Sequence, residues 1–145
     1  MKTVVDSSAL AKRYVFEPGS ESLEALLRMT SELGLSVLVL PEIVSALQRR
    51  LREGYLSSES YRDIKKQLIA DVRDATVLQL TSKVISRSVL LLEHNVLRAL
   101  DALHVACAIE WDAQLFVTAD KRQAAAAARA GLRVQFLGPS TSSKS

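Results

Sequence analysis

Residues 98–120 read RALDALHVACAIEWDAQLFVTAD, and this stretch decides the fold. From Leu100 to Trp111 the chain is apolar nearly all round, through Ala102, Leu103, Val105, Ala106, Cys107, Ala108 and Ile109. That pattern predicts a helix buried on every side. Gln114–Val117 follows, an apolar run too short for a helix and therefore a buried strand. After Thr118-Ala119-Asp120 the period changes again, and Lys121–Ala130 predicts a helix ended by Gly131. A buried helix leading into a buried strand and out into another helix is the repeating unit of a parallel sheet covered on both faces.

The same alternation extends outward in both directions. Thr3-Val4-Val5, Leu35–Leu40, Thr76–Leu80 and Leu132–Phe136 read as further strands. Between them, Ser20–Glu32 predicts a helix with Gly34 as its stop signal. Pro41–Arg52 opens with a first-turn proline and places Val44, Leu47 and Leu51 on one face. Ser60–Arg73 repeats that spacing with Tyr61, Ile64, Leu68 and Val72, and Lys83–Leu92 is a shorter amphipathic helix. The expectation is a three-layer α/β/α domain with a central parallel sheet of four or five strands. It covers residues 1–137, with 138–145 (GPSTSSKS) as a disordered tail that has almost nothing to bury.

The 145 residues suit one domain, and 48% hydrophobic with 24% charged residues excludes wholesale disorder. The single cysteine, Cys107, excludes an internal disulfide, and no His/Cys cluster offers a structural zinc site. Neither a membrane span nor a signal peptide is readable, so a cytoplasmic location is expected. A net charge of +3 permits an anionic partner without requiring one.

In an open parallel sheet, ligands bind at the carboxyl ends of the strands. Asp6 follows Val4-Val5, Glu42 follows the strand ending at Leu40, Asp120 follows Thr118, and Asp101 opens the most apolar helix. Each acid has a local explanation: Asp6 and Asp120 cap the helices after them, while Glu42 and Asp101 complement helix dipoles. Their joint placement adds a second reading, because like charges ~4 Å apart cost about 4 kcal/mol at an effective dielectric of ~20. A divalent cation offsets such a cost. Oxygen ligands suit Mg²⁺ or Mn²⁺, ions used to neutralise charge and prepare water in phosphoryl chemistry.

Four blocks carry a resemblance: Val4-Val5-Asp6-Ser7-Ser8-Ala9-Leu10, Pro41-Glu42-Ile43-Val44-Ser45-Ala46-Leu47, Arg98-Ala99-Leu100-Asp101-Ala102-Leu103-His104-Val105-Ala106 and Val117-Thr118-Ala119-Asp120. In this order, over about Lys2 to Val134, the chain resembles the PIN-domain nucleases, and among them the VapC-type toxins of toxin–antitoxin pairs. Glu17-Pro18-Gly19-Ser20-Glu21 also fits the VapC-type pattern. The resemblance implies an Mg²⁺- or Mn²⁺-dependent endoribonuclease, leaving a 5′-phosphate and a 3′-hydroxyl, with a cognate antitoxin as partner. It implies Asp6, Glu42, Asp101 and Asp120 as the catalytic, metal-holding acids, with Ser8 and Thr118 as supporting hydroxyls. It also implies a homodimer, for which Pro41–Arg52 and Ser60–Arg73 offer apolar stripes. A non-toxin PIN nuclease in RNA processing is the near alternative, and a non-catalytic α/β module whose acids are only caps is the distant one.

Among the remaining residues, Lys12, Arg13 and Lys121 are the cations nearest the acids in sequence and are expected to guide RNA. Arg98 either bridges acids or touches a phosphate. His104 reads as a hydrogen-bonded core histidine in preference to a partner of Asp101, and Cys107 and Trp111 read as packing. Aromatic content of 5% disfavours a base-stacking module. No glycine-rich phosphate loop and no GxSxG elbow is present. A haloacid-dehalogenase site wants a second aspartate where Ser8 stands. A receiver domain wants its acceptor acid after a central strand, where Thr81-Ser82 follows Thr76–Leu80.

Overall fold

In the computed structural model, which describes residues 1–139, five strands form one parallel sheet. Chain order is β1 (Lys2–Val5), α1 (Ser7–Leu10), a 3₁₀ turn (Ala11–Arg13), α2 (Ser20–Met29), β2 (Glu32–Ser36), α3 (Val39–Arg52) and α4 (Ser58–Asp74). There follow β3 (Thr76–Leu78), α5 (Ser82–His94), α6 (Ala99–Glu110), β4 (Leu115–Thr118), α7 (Lys121–Arg129) and β5 (Val134–Phe136). The spatial order is β3-β2-β1-β4-β5, so β1 is central, with β2 and β4 on either side.

The pleat divides the core into two halves. Val5, Leu35, Leu115 and Val117 face one layer and pack with Leu10, Leu23, Ile43, Leu47 and Leu68 from α1 to α4. Val4, Leu78 and Phe116 face the other, against Val84 and Leu91 of α5, Val105 and Ala106 of α6, and Ala127 of α7. The three-layer α/β/α expectation therefore holds. Among the described residues no helix is long and apolar enough to cross a membrane.

Two local expectations are corrected. The strand expected over Leu35–Leu40 ends at Ser36, whose hydroxyl oxygen accepts the Leu38 N–H at 3.1 Å and turns the chain. The helix then begins at Val39, before the proline. Pro41 becomes its third residue, where the missing N–H lacks an intrahelical acceptor anyway. Gly34 is not a helix stop either, since α2 ends at Met29 and Gly34 lies inside β2. Its missing side chain admits the Trp111 ring: a Cβ there would stand 2.5 Å from Trp111 Cζ3. Close ring-on-backbone packing, not turn formation, accounts for that glycine.

The stripes on Pro41–Arg52 and Ser60–Arg73 are used within the monomer, where α3 and α4 cover one sheet face. Exposed apolar residues occur instead along α5, the segment after it and the start of α6: Ile85, Val89, Leu90, Leu92, Val96 and Leu100. The tail expected over 138–145 lies outside the described residues from Ser140 onward.

Candidate active site

Because β1, β2 and β4 are adjacent and parallel, the segments that follow them leave the sheet at the same edge. Asp6 is the deepest of the acids there, fully buried. Its backbone N–H donates to the Val117 carbonyl at 3.0 Å, extending the ladder toward β4 by one bond. The side chain caps α1: Oδ1 accepts the Ala9 N–H at 2.9 Å and the Ser8 hydroxyl at 2.8 Å. Oδ2 accepts the Thr118 hydroxyl at 2.5 Å. Burial pushes this carboxyl above the ordinary carboxylate range, while the Thr118 hydroxyl, the nearby His104, the Ala9 N–H and Ser8 pull the other way without prevailing.

The two hydroxyls also join the strand ends. Ser8 Oγ accepts the Ala119 N–H at 3.0 Å, and Thr118 Oγ1 accepts the Asp120 N–H at 3.0 Å. Asp120 caps α7, with Oδ1 accepting the Arg122 N–H at 2.8 Å and the Gln123 N–H at 3.1 Å. The capping reading of Asp6 and Asp120 is thus correct as geometry, and it leaves open what else the same carboxylates do.

Glu42 lies in the first turn of α3 and is held through one oxygen. Oε1 accepts the Ser7 hydroxyl at 2.6 Å and the His104 Nε2–H at 2.5 Å. Burial alone would raise this carboxyl; the His104 and Ser7 hydrogen bonds, helped by the charge of Arg98, hold it below its ordinary value. A carboxylate is an acceptor only, so the His104 proton sits on Nε2, and Nδ1 is left buried without a partner among the described residues.

Asp101, in the first turn of α6, is buried and gripped at both oxygens. Oδ1 accepts the Gln123 Nε2–H at 3.0 Å, and Oδ2 accepts the Arg98 Nε–H at 3.2 Å. The Arg98 side chain is 78% exposed, and its charge acts on Asp101, Asp120 and Glu42 together. Asp101 alone is in contact with this guanidinium, whose charge also reaches Asp120 and Glu42, and Asp6 lies deeper.

The other expected contacts divide. Lys121 is exposed at the start of α7, beside Asp120. Lys12 is not brought to the acids: it is buried, with Nζ donating to Glu17 at 3.1 Å and to the Pro18 carbonyl at 2.8 Å. Arg13 pairs with Asp71 at 3.5 Å and Glu24 at 3.8 Å. These pairings fasten the 11–18 segment to its surroundings and occupy both cations. His104 is a hydrogen-bonded core histidine as read, and its partner is Glu42, not Asp101. Ser7 and Gln123 were not singled out by sequence. Ser7 carries the weak signal of directly following an acid, and Gln123 that of standing three residues after a cap.

The donor set is oxygen only, which suits Mg²⁺ or Mn²⁺. Among the described residues no three Asp, Glu, His or Cys side chains are gathered to hold one ion. A closed cage of the structural-zinc kind does not fit this edge. A magnesium-like ion does, since it is held by one or two carboxylates and keeps several waters.

A family model described as the PIN domain matches residues 3–129. No curated protein sequence matches the chain. Among solved structures, the sarcin-ricin-loop-cleaving toxin VapC20 of Mycobacterium tuberculosis is similar, with 18% identity, a TM-score of 0.67, and 90% of this chain and 95% of that one covered. VapBC2 of Rickettsia felis, bound to a promoter DNA fragment, is similar at 16% identity and a TM-score of 0.66, covering 94% and 98%. PAE2754 of Pyrobaculum aerophilum is similar at 17% identity and a TM-score of 0.70, covering 92% and 83%.

Proposed function

The chain belongs to the PIN-domain family, and from that membership we propose that it is a divalent-metal-dependent endoribonuclease, the toxin of a VapBC-type pair. The observation that carries the catalytic reading is the sheet edge itself. Four acids from four segments are tied into one hydrogen-bonded edge through Ser7, Thr118 and Gln123 without three of them converging on one point, and the deepest, Asp6, is fully buried with hydroxyls and an N–H as its only hydrogen-bond donors among the described residues. A carboxylate buried without a bonded cation is held at a cost that a proton or a bound cation relieves.

In this reading Asp6, Glu42, Asp101 and Asp120 form the acidic edge for Mg²⁺ or Mn²⁺, one or two of them holding an ion directly and the others through its waters. The bound ion supplies polarisation of the phosphodiester and a water of lowered pKa. The chain supplies position: Ser8 and Thr118 fix Asp6, while Ser7 and His104 take one oxygen of Glu42 and leave Oε2 without a hydrogen bond among the described residues. Exposed Arg98 and Lys121 flank the acids and orient the RNA phosphate. Lys12 and Arg13, occupied elsewhere, are left out of that path.

The toxin assignment is supported by likeness to a sarcin-ricin-loop-cleaving toxin and to a VapBC pair bound to its promoter DNA, and a cognate antitoxin in the cytoplasm is the partner it implies. Cleavage of total RNA is expected with Mg²⁺ or Mn²⁺, and loss of it in EDTA and in Asp101→Asn. Cleavage that persists in both would remove the nuclease assignment. A homodimer is proposed to use Ile85, Val89, Leu92, Val96 and Leu100, the apolar face left uncovered in the monomer. Light scattering is expected to give twice the chain mass, and a monomer at all concentrations rejects that face.

A further inference from the structure

Gln123 stands three residues after the cap of α7, in the place of the last residue of a capping box. In such a box its amide would turn back to the N–H of the capping residue. Here that N–H, on Asp120, is already taken by Thr118 Oγ1 at 3.0 Å. The amide is released and crosses to another helix, where Nε2–H donates to Asp101 Oδ1 at 3.0 Å. The backbone N–H of the same residue donates to Asp120 Oδ1 at 3.1 Å. One residue therefore holds two acids from different segments, Asp101 by its side chain and Asp120 by its main chain.

The cost of this arrangement is visible. Gln123 is only 4% exposed, and its Oε1 is buried with no hydrogen-bond partner among the described residues. A leucine or methionine would fill the volume and spare the orphaned Oε1, but would leave Asp101 Oδ1 without its donor, so the amide is kept for the carboxylate it holds. The orientation follows from charge: an amide oxygen against Asp101 would be repelled, so Nε2 faces the carboxylate and Oε1 is the atom left unpaired.

We propose that Gln123 is a positioning residue that fixes Asp101 relative to Asp120. It touches neither water nor phosphate in this role and acts through the carboxylate it holds. The proposal rests on the reading that these acids bind a divalent ion, and the test separates the two.

Mn²⁺ binding is measured by titration calorimetry on the full chain and on Gln123→Met, which keeps the volume and removes the amide. Wild type is expected to bind, and Gln123→Met to bind roughly 10–100-fold more weakly, the usual cost of removing a group that orients a ligand. With RNA, kcat is expected to fall with KM unchanged, since the cations facing the substrate are untouched. Equal Mn²⁺ affinity in the two proteins overturns the positioning role alone. No Mn²⁺ binding by wild type overturns the metal reading and this proposal with it. If Gln123→Met does not fold, the wild-type side-chain amide decides by NMR. Its cross-peak is expected to move on adding Mg²⁺ and in Asp101→Asn, and a cross-peak that moves in neither case overturns the assignment.

Discussion

Asp6→Asn is expected to abolish RNA cleavage while raising the melting temperature of the metal-free protein. The two effects share a cause. Asp6 is fully buried, and burial holds its carboxyl above the ordinary range, so in the folded chain the charged form is the disfavoured one. Asparagine has the same shape and caps a helix as well as aspartate does. Its amide oxygen accepts from Ala9 N–H and Ser8, and its amide group donates to Thr118 Oγ1 once that hydroxyl rotates. The hydrogen bonds survive and the buried charge goes.

The sign of the pH dependence follows. A carboxyl with a raised folded pKa holds its proton more tightly in the folded than in the unfolded chain, so its ionisation costs stability. That cost is absent below its model value of 3.8, grows as pH rises toward the folded pKa, and is complete above it. Asp6→Asn is therefore expected to melt a few degrees higher than wild type at neutral pH, with the gap closing in acid. Activity moves oppositely: one unit charge missing ~4 Å from the reacting centre, at an effective dielectric of ~20, is about 4 kcal/mol, or on the order of 10³-fold in rate. Calorimetry at two pH values, with a gel assay for cleavage, reads both. A variant that melts lower at neutral pH yet still cleaves RNA contradicts the account at both ends.

How far the sequence carried this picture depended on whether a feature is set locally. The layer order was legible because apolar periodicity is local: Leu100–Trp111 reads as a buried helix, and α6 is one. Asp6 and Asp120 were legible as strand-end acids, while Glu42 and Asp101 stand in the first turns of α3 and α6. Leu35–Leu40 failed because Val37 to Leu40 are as apolar as a strand, and the turn is made by a single serine hydroxyl whose reach no periodicity reports. Gly34 failed because its reason, the ring of Trp111, is 77 residues away in sequence. Ser8, Thr118 and Arg98 were legible as holders of the acids, whereas His104 and Gln123 were not, on the same ground. His104 and Gln123 make their contacts 62 and 22 residues away, and neither residue type at those positions carries a local signal for such a partner. Lys12 and Arg13 misled because proximity in sequence to Asp6 says nothing of which way a side chain leaves a helical turn.

Saturating Mn²⁺ is expected to raise the wild-type melting temperature by roughly 5–10 °C. An ion that binds only the folded chain stabilises it by about 2.7 kcal/mol at one hundred times its dissociation constant. For a domain of this size each kcal/mol is worth about 2–4 °C. The charge balance supplies the affinity: exposed Arg98 pairs with Asp101 and acts on Glu42 and Asp120 only at longer range, and Asp6 accepts only from hydroxyls and an N–H. The effect is expected to shrink as pH falls. Asp6, raised by burial, takes its proton first, and Glu42, held low by His104 and Ser7, takes its proton later. Removing the deepest acid should therefore remove much of the gain, so the Asp6→Asn protein, though more stable without metal, is expected to respond weakly to Mn²⁺. The two proteins then converge in melting temperature as the ion is added. If both instead gain equally, the ion sits elsewhere on the surface, and the buried carboxylate at the end of β1 is left with capping as its whole occupation.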